Sequence, residues 1–358
     1  MMEEKKKILF VVEALGGGVF TCIVDLANEL VGRYDMYVAY GIRPQLPADF
    51  RRYFKKEIHL IEVKNFKRSV NSIYDLKAFF EIRTIGKRIK PDIIHLHSSK
   101  AGVIGRIAFD GRKTPIFYTP HGYSFLMENY GPIRRSMYRL AELVCARRRC
   151  TTISCSEGEH METLKLTKQA AYIDNGIDIS ALQAVIDSLD APKKDSFCVY
   201  TIGRICHQKN PELFNEIAKT LPDIPFLWIG DGELRWTLTS PNIEITGWLS
   251  RDEAVRRAMV GSVFLLTSLW EGLPISLLES MYLGKVCIVS DVIGNRDVIE
   301  DGRNGRVCRS TEEFAQAVCQ AKAGKYKEQA RQAHEDVCQM YNAKIMAGRY
   351  IEIYEGKR

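Results

Sequence analysis

Two carboxylates stand inside an otherwise apolar segment, "SLWEGLPISLLESMYLGKVCIVSD", residues 268–291. Glu271 precedes a turn that Gly272 and Pro274 mark, and Glu279 falls about two turns into the helix that should follow. Apolar residues four positions before and after Glu279 place it on the helix face that would meet the core. Because a buried carboxylate needs a charged or hydrogen-bonding partner, either an ion pair with a nearby Lys or Arg or a bound ligand must explain it.

Two cations follow a different predicted strand, "CVYTI", in the segment "GRICHQKN". Arg204 comes directly after Gly203, and Lys209 follows five residues later. In parallel sheets, ligands bind where strands end and helices begin, because helix N-termini offer unpaired N–H groups and partial positive charge. Two cations at one strand end suit a diphosphate, and the alternative is that they make ordinary loop salt bridges.

Two glycine-containing loops also end predicted strands. Gly230 and Gly232 in "IGDGELR", followed by Glu233, would let a ligand approach the backbone closely. "EGLP" begins at Glu271 and opens the helix of the carboxylate segment, so its backbone amides are a second candidate for phosphate binding. The remaining residues of that loop are Gly272, Leu273 and Pro274.

Three strand ends in the first half of the chain carry further candidates. The glycine loop 16–18 follows the first strand and forms either a tight turn or a backbone cradle for a phosphate. His121 ends a strand in "YTPHGYSF", although a single histidine is more often structural than catalytic. The loop 98–100 ends a third strand. These two loops consist of Gly16, Gly17 and Gly18 and of Ser98, Ser99 and Lys100.

The candidate residues are positioned by an alternation of apolar strands and helix-like segments that runs through the whole chain. Near-continuous apolar strands, such as "KKILFVVEA" and "SVFLLTS", indicate parallel sheets with helices on both faces. The polar segment "LDAPKKDS", residues 189–196, is the best candidate for a linker. We therefore predict two Rossmann-like domains, residues 1–190 and 191–340, facing each other across a cleft. A last helix at 341–358 is a candidate to pack back on the first domain.

Composition indicates a globular protein, since no run of the 358 residues reaches the roughly 18 apolar residues that a membrane span needs. The N-terminal apolar run is expected to be a first strand and not a signal peptide. Ten cysteines without a CxxC pair are typical of a reduced, cytoplasmic protein. The net charge of +7 lies entirely in residues 1–190, with 29 Lys and Arg against 22 Asp and Glu, which suggests an anionic partner for that half.

The order of these motifs resembles the nucleotide-sugar half of the retaining GT-B glycosyltransferases of family 4. The matching features are GR…K, GDGE, E-x7-E and "DVIEDGRNG", spread over about a hundred residues from Gly203 to Gly305. The first half matches more loosely, at "GGG", "HLHSSKAG" and "TPHG". The resemblance implies a GT-B fold and transfer of a hexosyl unit from a nucleotide sugar, UDP-linked, to a glycan or lipid-linked acceptor.

The resemblance also implies a role for each candidate residue. Glu279 would accept hydrogen bonds from the ribose hydroxyls of the donor, and a carboxylate is the natural partner of a vicinal diol. Glu271 and His121 would lie beside the donor sugar. Arg204 and Lys209 would stabilise the charge that grows on the leaving diphosphate. The other donor-binding candidates are Gly203, Gly230, Gly232, Glu233, Gly272, Leu273 and Pro274, and the phosphate or acceptor loops are 16–18 and 98–100.

Two further features bear on the donor and on the mechanism. The family often has Pro-Glu where this chain has Arg296 and Asp297, which leaves the identity of the sugar open. The chain has no D-x-D triplet, which metal-dependent glycosyltransferases of the other large fold class need. We therefore expect no metal ion and no cofactor, with the nucleotide sugar as a substrate, and no nucleic acid among the partners.

Other functions of nucleotide-binding folds fit the sequence less well. An oxidoreductase would need G-x-G-x-x-G after the first strand and an acid at the end of the second, where the chain has "GGGVFT" and "YVAYGIRP". A nucleotide-sugar epimerase of the same architecture is the alternative, since it would bind the same donor without using an acceptor. A non-catalytic binding protein is disfavoured by the number of site residues that occur in order.

By analogy with the family, the chain is expected in the cytoplasm, in the assembly of cell-surface polysaccharide. One basic segment, "GPIRRSMYRLAELVCARRRC", residues 131–150, has apolar residues at helical spacing. It is either a sheet-covering helix with a solvated basic face or a peripheral contact with the anionic inner face of the cytoplasmic membrane. Its arginines are Arg134, Arg135, Arg139, Arg147, Arg148 and Arg149, and its apolar positions are Ile133, Met137, Leu140 and Val144.

Overall fold

The computed structural model describes residues 5–43, 46–67, 72–127, 129–188 and 197–357. The chain forms two compact units: unit 1 is Met1–Asn175 with Ala343–Arg358, and unit 2 is Gly176–Asn342. The predicted linker, 189–196, lies outside the described residues. The division differs from the predicted domains 1–190 and 191–340 because the helix before that linker packs within unit 2.

Unit 1 is built on a parallel sheet of mostly apolar, buried strands. Within the described residues its strands are β1 (Lys7–Leu15), β2 (Asp35–Ile42), β3 (His59–Glu62), β4 (Ile93–His97), β5 (Ile116–Thr119), β6 (Thr151–Ser154) and β7 (Ala170–Tyr172). Their order across the sheet is β3-β2-β1-β4-β5-β6-β7. β1 and β4 are neighbours, and the strand order changes direction between them.

Helices cover both faces of this sheet, as the near-continuous apolar strands predict. In the first part of the chain they are α1 (Gly17–Leu30), α2 (Ser72–Ile89), α3 (Ser99–Ala108), α4 (Pro132–Ala146) and α5 (Glu157–Leu164). Right-handed crossovers place α1 on one face and α2 to α5 on the other. Each helix returns against the strand direction, so its N-terminus lies at the carboxyl edge of the sheet.

Unit 2 repeats this architecture with a second parallel sheet. Its described strands are β8 (Val199–Ile202), β9 (Phe226–Ile229), β10 (Ile243–Ile245), β11 (Val263–Leu266), β12 (Val286–Ser290) and β13 (Arg306–Cys308), in the order β10-β9-β8-β11-β12-β13. Its described helices are α6 (Ile179–Asp187), α7 (Pro211–Thr220), α8 (Arg251–Val260), α9 (Ile275–Tyr282), α10 (Thr311–Lys322) and α11 (Lys327–Met340). Here the strand order changes direction between β8 and β11.

The C-terminal helix, α12 (Ala343–Tyr354), belongs to unit 1 and packs against α1. Two of its tyrosines, Tyr350 and Tyr354, are buried there. The hydroxyl of Tyr354 lies 2.6 Å from Nδ1 of His95 on β4. The helix thus covers the sheet face to which the His95 side chain points.

Helix α4 turns its apolar residues away from the sheet. The side that faces inward carries Glu142, whose carboxylate lies 2.5 Å from the buried guanidinium of Arg106 and accepts a hydrogen bond from the hydroxyl of Tyr118 at 2.9 Å. The helix has the solvated basic residues that the first interpretation of 131–150 expects, since Arg134 and Arg139 are exposed, but its apolar residues are exposed as well. The outward residues and their exposed fractions are Ile133 (79%), Met137 (65%), Leu140 (60%) and Val144 (55%).

Within the described residues, no helix has both the length and the apolar character that crossing a bilayer would require.

Candidate functional site

The predicted site residues of unit 2 follow β8, β9 and β11, and the strand order changes direction between β8 and β11. Loops that leave two such strands diverge to opposite faces of the sheet and leave a crevice at the carboxyl edge. The cation loop that begins at Gly203 follows β8, and the carboxylate segment that begins at Ser268 follows β11. The sheet therefore brings these two predicted motifs to one place.

Lys209 and Glu271 form an ion pair across this crevice. The Nζ atom of Lys209 lies 2.7 Å from Oε1 of Glu271, and their side chains are only 15% and 8% exposed. The hydroxyl of Ser268 donates to the same oxygen at 2.7 Å, and Nε2 of Gln208 lies 3.2 Å from Oε2. Three side chains from two loops therefore fix this carboxylate, and with it the position of the ammonium group.

Arg204 is paired as well. Its guanidinium donates two hydrogen bonds to the carboxylate of Glu233, at 2.8 and 2.7 Å, so the ends of β8 and β9 are joined. Both cations thus make salt bridges, as the alternative interpretation of the cation loop predicts. The proposed role of Arg204 and Lys209 at a diphosphate stays a prediction.

Glu279 is buried on α9, as its helical spacing predicts. Its Oε1 accepts hydrogen bonds from Nε of Arg251 at 3.3 Å and from Nη2 at 3.2 Å. The ion-pair alternative therefore describes this residue in the structure, and its role as ligand of a ribose stays a prediction. A carboxylate has about four lone-pair positions, so contact with Arg251 leaves capacity for further donors.

The glycines after β8 and β9 are required by close backbone packing. Gly203 and Gly230 adopt φ of +148° and +140°, and a Cβ atom at Gly230 would lie 2.2 Å from the carbonyl oxygen of Gly203. A Cβ atom at Gly232 would lie 2.2 Å from the carbonyl oxygen of Ile205. The indole N–H of Trp228 also donates to the Gly203 carbonyl at 2.8 Å. These loops are rigidly held, which is the property that a preformed phosphate site needs.

The "EGLP" loop packs against the loop that contains Arg296 and Asp297, where the family often has Pro-Glu. Gly294 has φ of +84°, and a Cβ atom there would lie 2.4 Å from the carbonyl oxygen of Gly272. The backbone N–H of Gly294 donates to Asp297 at 3.1 Å. The segment that contains Arg296 and Asp297 therefore contacts the predicted donor loop directly. Gly272, Leu273 and Pro274 are all buried.

In unit 1, His121 lies at the carboxyl end of β5 and is held by a second histidine. Its φ is +54°, an unusual conformation for a residue with a side chain, and its Nε2 lies 3.1 Å from Nδ1 of His97. Burial lowers the pKa of His121 to about 4 and also lowers the pKa of His97. The two rings are therefore neutral at pH 7, and one of the facing nitrogens carries the proton that the other accepts.

A buried carboxylate that sequence reasoning missed fixes the loop after His121. Glu159 accepts a hydrogen bond from the backbone N–H of Gly122 at 2.6 Å and another from that of Cys155 at 2.9 Å. Burial raises the pKa of Glu159, although the two backbone donors act in the opposite direction. The sequence gives little indication of this role for Glu159, because a Glu in the first turn of a helix is usually explained by its favourable interaction with the helix dipole.

The loops 16–18 and 98–100 follow β1 and β4, the strands that flank the change of direction in this sheet. Gly17 has φ of +56°, as a tight turn requires, and no heavy atom lies within 4 Å of the position that a Cβ would take. The turn and cradle interpretations are therefore compatible with each other. Ser98 and Ser99 precede and open α3, and the ammonium group of Lys100 lies 2.7 Å from the carboxylate of Asp75.

A second ion pair near these loops was not found from the sequence. Glu13 on β1 is buried and lies 2.7 Å from the guanidinium of Arg43, which follows β2. Burial raises the pKa of Glu13, and the charges of Arg43 and Lys100 act against that shift. The sequence hints at this ion pair only through a single Glu in the apolar run "ILFVVEAL". Its partner just after the neighbouring strand can be named only when the register of the two strands is known.

Among the described residues, no group of three or more His, Cys, Asp or Glu side chains is placed to hold a metal ion. His95 and His97 contact hydroxyl and imidazole partners instead. The expectation that the chain needs no metal stays a prediction.

Comparison with known proteins adds to this geometry. A family model described as "Glycosyl transferases group 1" matches residues 196–323, and one described as "Glycosyltransferase Family 4" matches residues 16–181. The two matches fall largely in unit 2 and in unit 1, respectively.

Two curated relatives cover most of the chain. A UDP-Gal:alpha-D-GlcNAc-diphosphoundecaprenol alpha-1,3-galactosyltransferase of Escherichia coli is 31% identical over 284 residues, which is 71% of this chain and 71% of that protein. A GalNAc-alpha-(1->4)-GalNAc-alpha-(1->3)-diNAcBac-PP-undecaprenol alpha-1,4-N-acetyl-D-galactosaminyltransferase of Campylobacter jejuni is 26% identical over 331 residues, 87% of each chain. Both relatives are transferases, and the epimerase alternative finds no support from them.

Solved structures with low sequence identity share the fold. Sucrose-phosphate synthase from Thermosynechococcus elongatus superposes with a TM-score of 0.82 at 14% identity, over 99% of both chains. The Anabaena protein HepE, in complex with UDP and glucose, superposes with a TM-score of 0.76 at 18% identity, over 98% of this chain and 100% of that one. The predicted GT-B class, with two parallel-sheet Rossmann-like units, is confirmed.

Proposed function

The chain belongs to the family 4-type glycosyltransferases of GT-B fold, and from that premise we propose that it is a retaining enzyme that uses a UDP-sugar. It transfers the hexosyl unit to a lipid-linked glycan in the synthesis of cell-surface polysaccharide. The observation that carries the proposal is the Lys209–Glu271 pair, which lies where the strand order of unit 2 changes direction, at the usual ligand crevice of such sheets.

Unit 2 binds the donor in this proposal. The diphosphate lies at the carboxyl ends of β8 and β11, where Lys209 and Arg204 supply positive charge and the N-terminus of α9 supplies backbone N–H groups. Negative charge grows on the diphosphate oxygen as the glycosidic bond breaks, so cations that are already in position stabilise the transition state more than the ground state. These groups do the work that a metal ion does in other glycosyltransferases, and the reaction proceeds without one.

Glu279 and Glu271 select the donor. Glu279, oriented by Arg251, accepts hydrogen bonds from the ribose hydroxyls. Glu271 is held in place by Lys209 and Ser268 beside the hexose. The neighbouring segment with Arg296 and Asp297 then shapes the hexose pocket through its contact with Gly272.

Unit 1 binds the acceptor at the carboxyl ends of β1 and β4, where the loops 16–18 and 98–100 lie. The two curated relatives are named for undecaprenol-diphosphate substrates, which supports an acceptor of the same chemical class here. Such an acceptor is anchored in a bilayer by its polyprenyl chain. The enzyme then works in the cytoplasm as a peripheral protein at the inner face of the cytoplasmic membrane.

The proposal is tested by following UDP release from a panel of UDP-sugars, with and without a sugar linked to undecaprenyl diphosphate. We expect at least one donor whose UDP is released only when the acceptor is present. Release that does not depend on acceptor would indicate a hydrolase, and a UDP-sugar changed in configuration without release of UDP would indicate an epimerase. No release from any donor, with any acceptor, would contradict the proposal.

A further inference from the structure

Helix α4 exposes a face of large apolar residues together with its arginines. A helix that packs on a sheet usually turns its apolar stripe inward and its charges outward. In α4 the inward face carries the buried pair of Glu142 with Arg106, whose guanidinium also lies 4.3 Å from the ring centre of Tyr118. A set of large apolar residues on one face, led by Ile133 and Met137, is left without a partner in unit 1.

A neighbouring helix of the same layer shows a second exposed apolar stripe. α2 packs on the sheet through Ala78, Ile82 and Ile85. Its N-terminal half also exposes large apolar residues, with 64% of Ile73 and 57% each of Leu76 and Phe80 accessible. Because α3 lies between α2 and α4 and is mostly buried, the two stripes flank it on the outer side of one helix layer.

Both stripes begin at the edge of unit 1 at which substrate loops are found. Helices α2 and α4 run against the strands, so their N-terminal halves lie at the carboxyl edge of the sheet, near the loop 98–100 and His121. Each stripe begins in the first turn of its helix, at Ile73 and at Ile133. The α2 stripe and the start of the α4 stripe therefore lie beside the proposed acceptor loops, and the α4 stripe continues along that helix to Val144.

The charge around these stripes is positive. The exposed basic residues of α2 and α4, and of the turn that follows α4, lie on the same layer. They are Lys77, Arg83, Lys87 and Arg88, Arg134 and Arg139, and Arg147, Arg148 and Arg149. Apolar side chains ringed by arginine and lysine fit the interface of an anionic bilayer, where the apolar groups enter the acyl region and the cations remain among the headgroups.

We propose that the outer face of α2 and α4 is a membrane-docking surface, whose exposed apolar stripes enter the anionic leaflet that carries the acceptor. The inference rests on the proposed function, which identifies the leaflet that carries the acceptor. It adds the residues that contact this leaflet and the way in which they bind it. The helices lie in the interface and do not span it. Docking in this orientation brings the carboxyl edge of unit 1 to the surface from which a lipid-linked diphosphate projects.

Vesicle co-sedimentation tests the surface directly. The parent chain should bind vesicles that contain phosphatidylglycerol and should bind phosphatidylcholine vesicles much more weakly. Raised salt should weaken the binding without abolishing it, because salt screens the arginines but does not weaken the apolar contact. The variant Ile133→Ser/Met137→Ser/Leu140→Ser should bind about tenfold or more weakly, since three apolar side chains no longer enter the acyl region. Leu76→Ser/Phe80→Ser should show a smaller loss.

A matched control removes exposed apolar side chains from unit 2. Val260 and Met340 are 38% and 42% exposed, and Val260→Ser/Met340→Ser should bind vesicles as the parent does. Circular dichroism and the thermal midpoint should be unchanged in all variants, because every replaced side chain is exposed. Equal loss of binding in the control, or parental binding by the α4 variant, would overturn the inference.

A second copy of the chain is the competing occupant of these stripes. If the parent sediments as a dimer that the α4 variant converts to a monomer, and neither binds anionic vesicles, the surface is a dimer interface and the inference is wrong. Co-sedimentation needs no turnover, so the two proposals fail separately. Transfer to a water-soluble acceptor without vesicle binding would refute only the docking surface, and vesicle binding without any transfer would refute only the enzymatic proposal.

Discussion

The ammonium nitrogen of Lys209 lies 2.7 Å from a carboxylate oxygen of Glu271, although the two residues are 62 positions apart in the chain. They follow β8 and β11, adjacent strands at the crevice of unit 2. The carboxylate is held in turn by Ser268 and Gln208. The cation is thus positioned by the fold before any phosphate arrives, and an arriving diphosphate would find it in place.

The first prediction concerns turnover. Lys209→Ala should lower kcat about 100-fold, because one preorganised group at the developing charge is lost, while donor affinity should fall by a smaller factor. Lys219, an exposed residue on α7 that pairs with Glu216, provides the control, and Lys219→Ala should have parental kinetics. Steady-state kinetics at saturating donor are the measurement. An unchanged kcat in Lys209→Ala would remove this lysine from the reaction.

The second prediction separates ribose recognition from general binding. The parent should bind UDP about tenfold or more tightly than 2′-deoxy-UDP, because a hydrogen bond to a charged group contributes roughly 1.5–3 kcal/mol. Glu279→Ala should bind UDP more weakly and should lose this preference, as measured by isothermal titration calorimetry. Arg251→Met should reduce the preference in part, since the arginine orients the carboxylate.

Glu216→Ala is the control for this experiment, because Glu216 is an exposed carboxylate in the same unit. It should keep both the affinity and the preference for the ribonucleotide. If Glu279→Ala still discriminated between UDP and 2′-deoxy-UDP as the parent does, the ribose would be recognised elsewhere.

The third prediction concerns metal ions. Activity should persist in excess chelator, because Lys209, Arg204 and the N-terminus of α9 supply the positive charge at the diphosphate. The measurement is the initial rate of UDP release before and after chelation. Complete inhibition that Mg²⁺ or Mn²⁺ reverses would show that a divalent ion, and not these side chains alone, stabilises the leaving group.

The fourth prediction is a pH dependence of stability. The pKa of His121 falls from an ordinary value of 6.5 to about 4 on folding because the ring is buried, and the pKa values of His95 and His97 fall for the same reason. Above pH 6.5 these rings are neutral in both states and add no pH dependence. Below 6.5 the unfolded chain binds protons that the folded chain does not, so the free energy of unfolding falls as the pH falls toward 4.

The raised pKa values of Glu13 and Glu159 act in the opposite direction above about pH 4.5, because the folded chain binds protons there that the unfolded chain does not. Urea denaturation between pH 7 and pH 5 should show a net loss of stability. In His121→Gln the free energy of unfolding should fall less steeply as the pH falls. The difference in slope should reach about 1.4 kcal/mol per pH unit, the value for one proton. An identical slope in parent and variant would mean that His121 is not held neutral by burial.

Much of this architecture could be predicted from the sequence, for reasons that particular residues show. The run "VFLLTS" and its counterparts are apolar on both faces, which only a covered parallel strand explains, and Gly203, Gly230 and Glu279 lie at strand ends or on the helix that follows. What could not be predicted is which charged side chains form ion pairs with each other. Arg251 meets Glu279 across 28 residues, and nothing in the spacing of the two indicates that contact.

The exposure of the apolar face of α4 could not be predicted for a related reason. Its periodicity shows that Ile133, Met137 and Leu140 share a face, but periodicity does not tell which face meets the sheet. That choice depends on Arg106, a buried residue on α3 that pairs with Glu142 on α4. The inward side also carries the buried Cys145, and which side faces the sheet is seen only in the folded chain.

The central claim, transfer of a hexosyl unit with retention, is tested most directly by proton NMR of the first product formed. A UDP-α-hexose donor and an undecaprenyl-diphosphate-linked acceptor should give a product whose new glycosidic linkage is α, as shown by the coupling constant of its anomeric proton. A β linkage in that first product would contradict the retaining mechanism, and a sugar altered in configuration but not joined to the acceptor would contradict transfer itself.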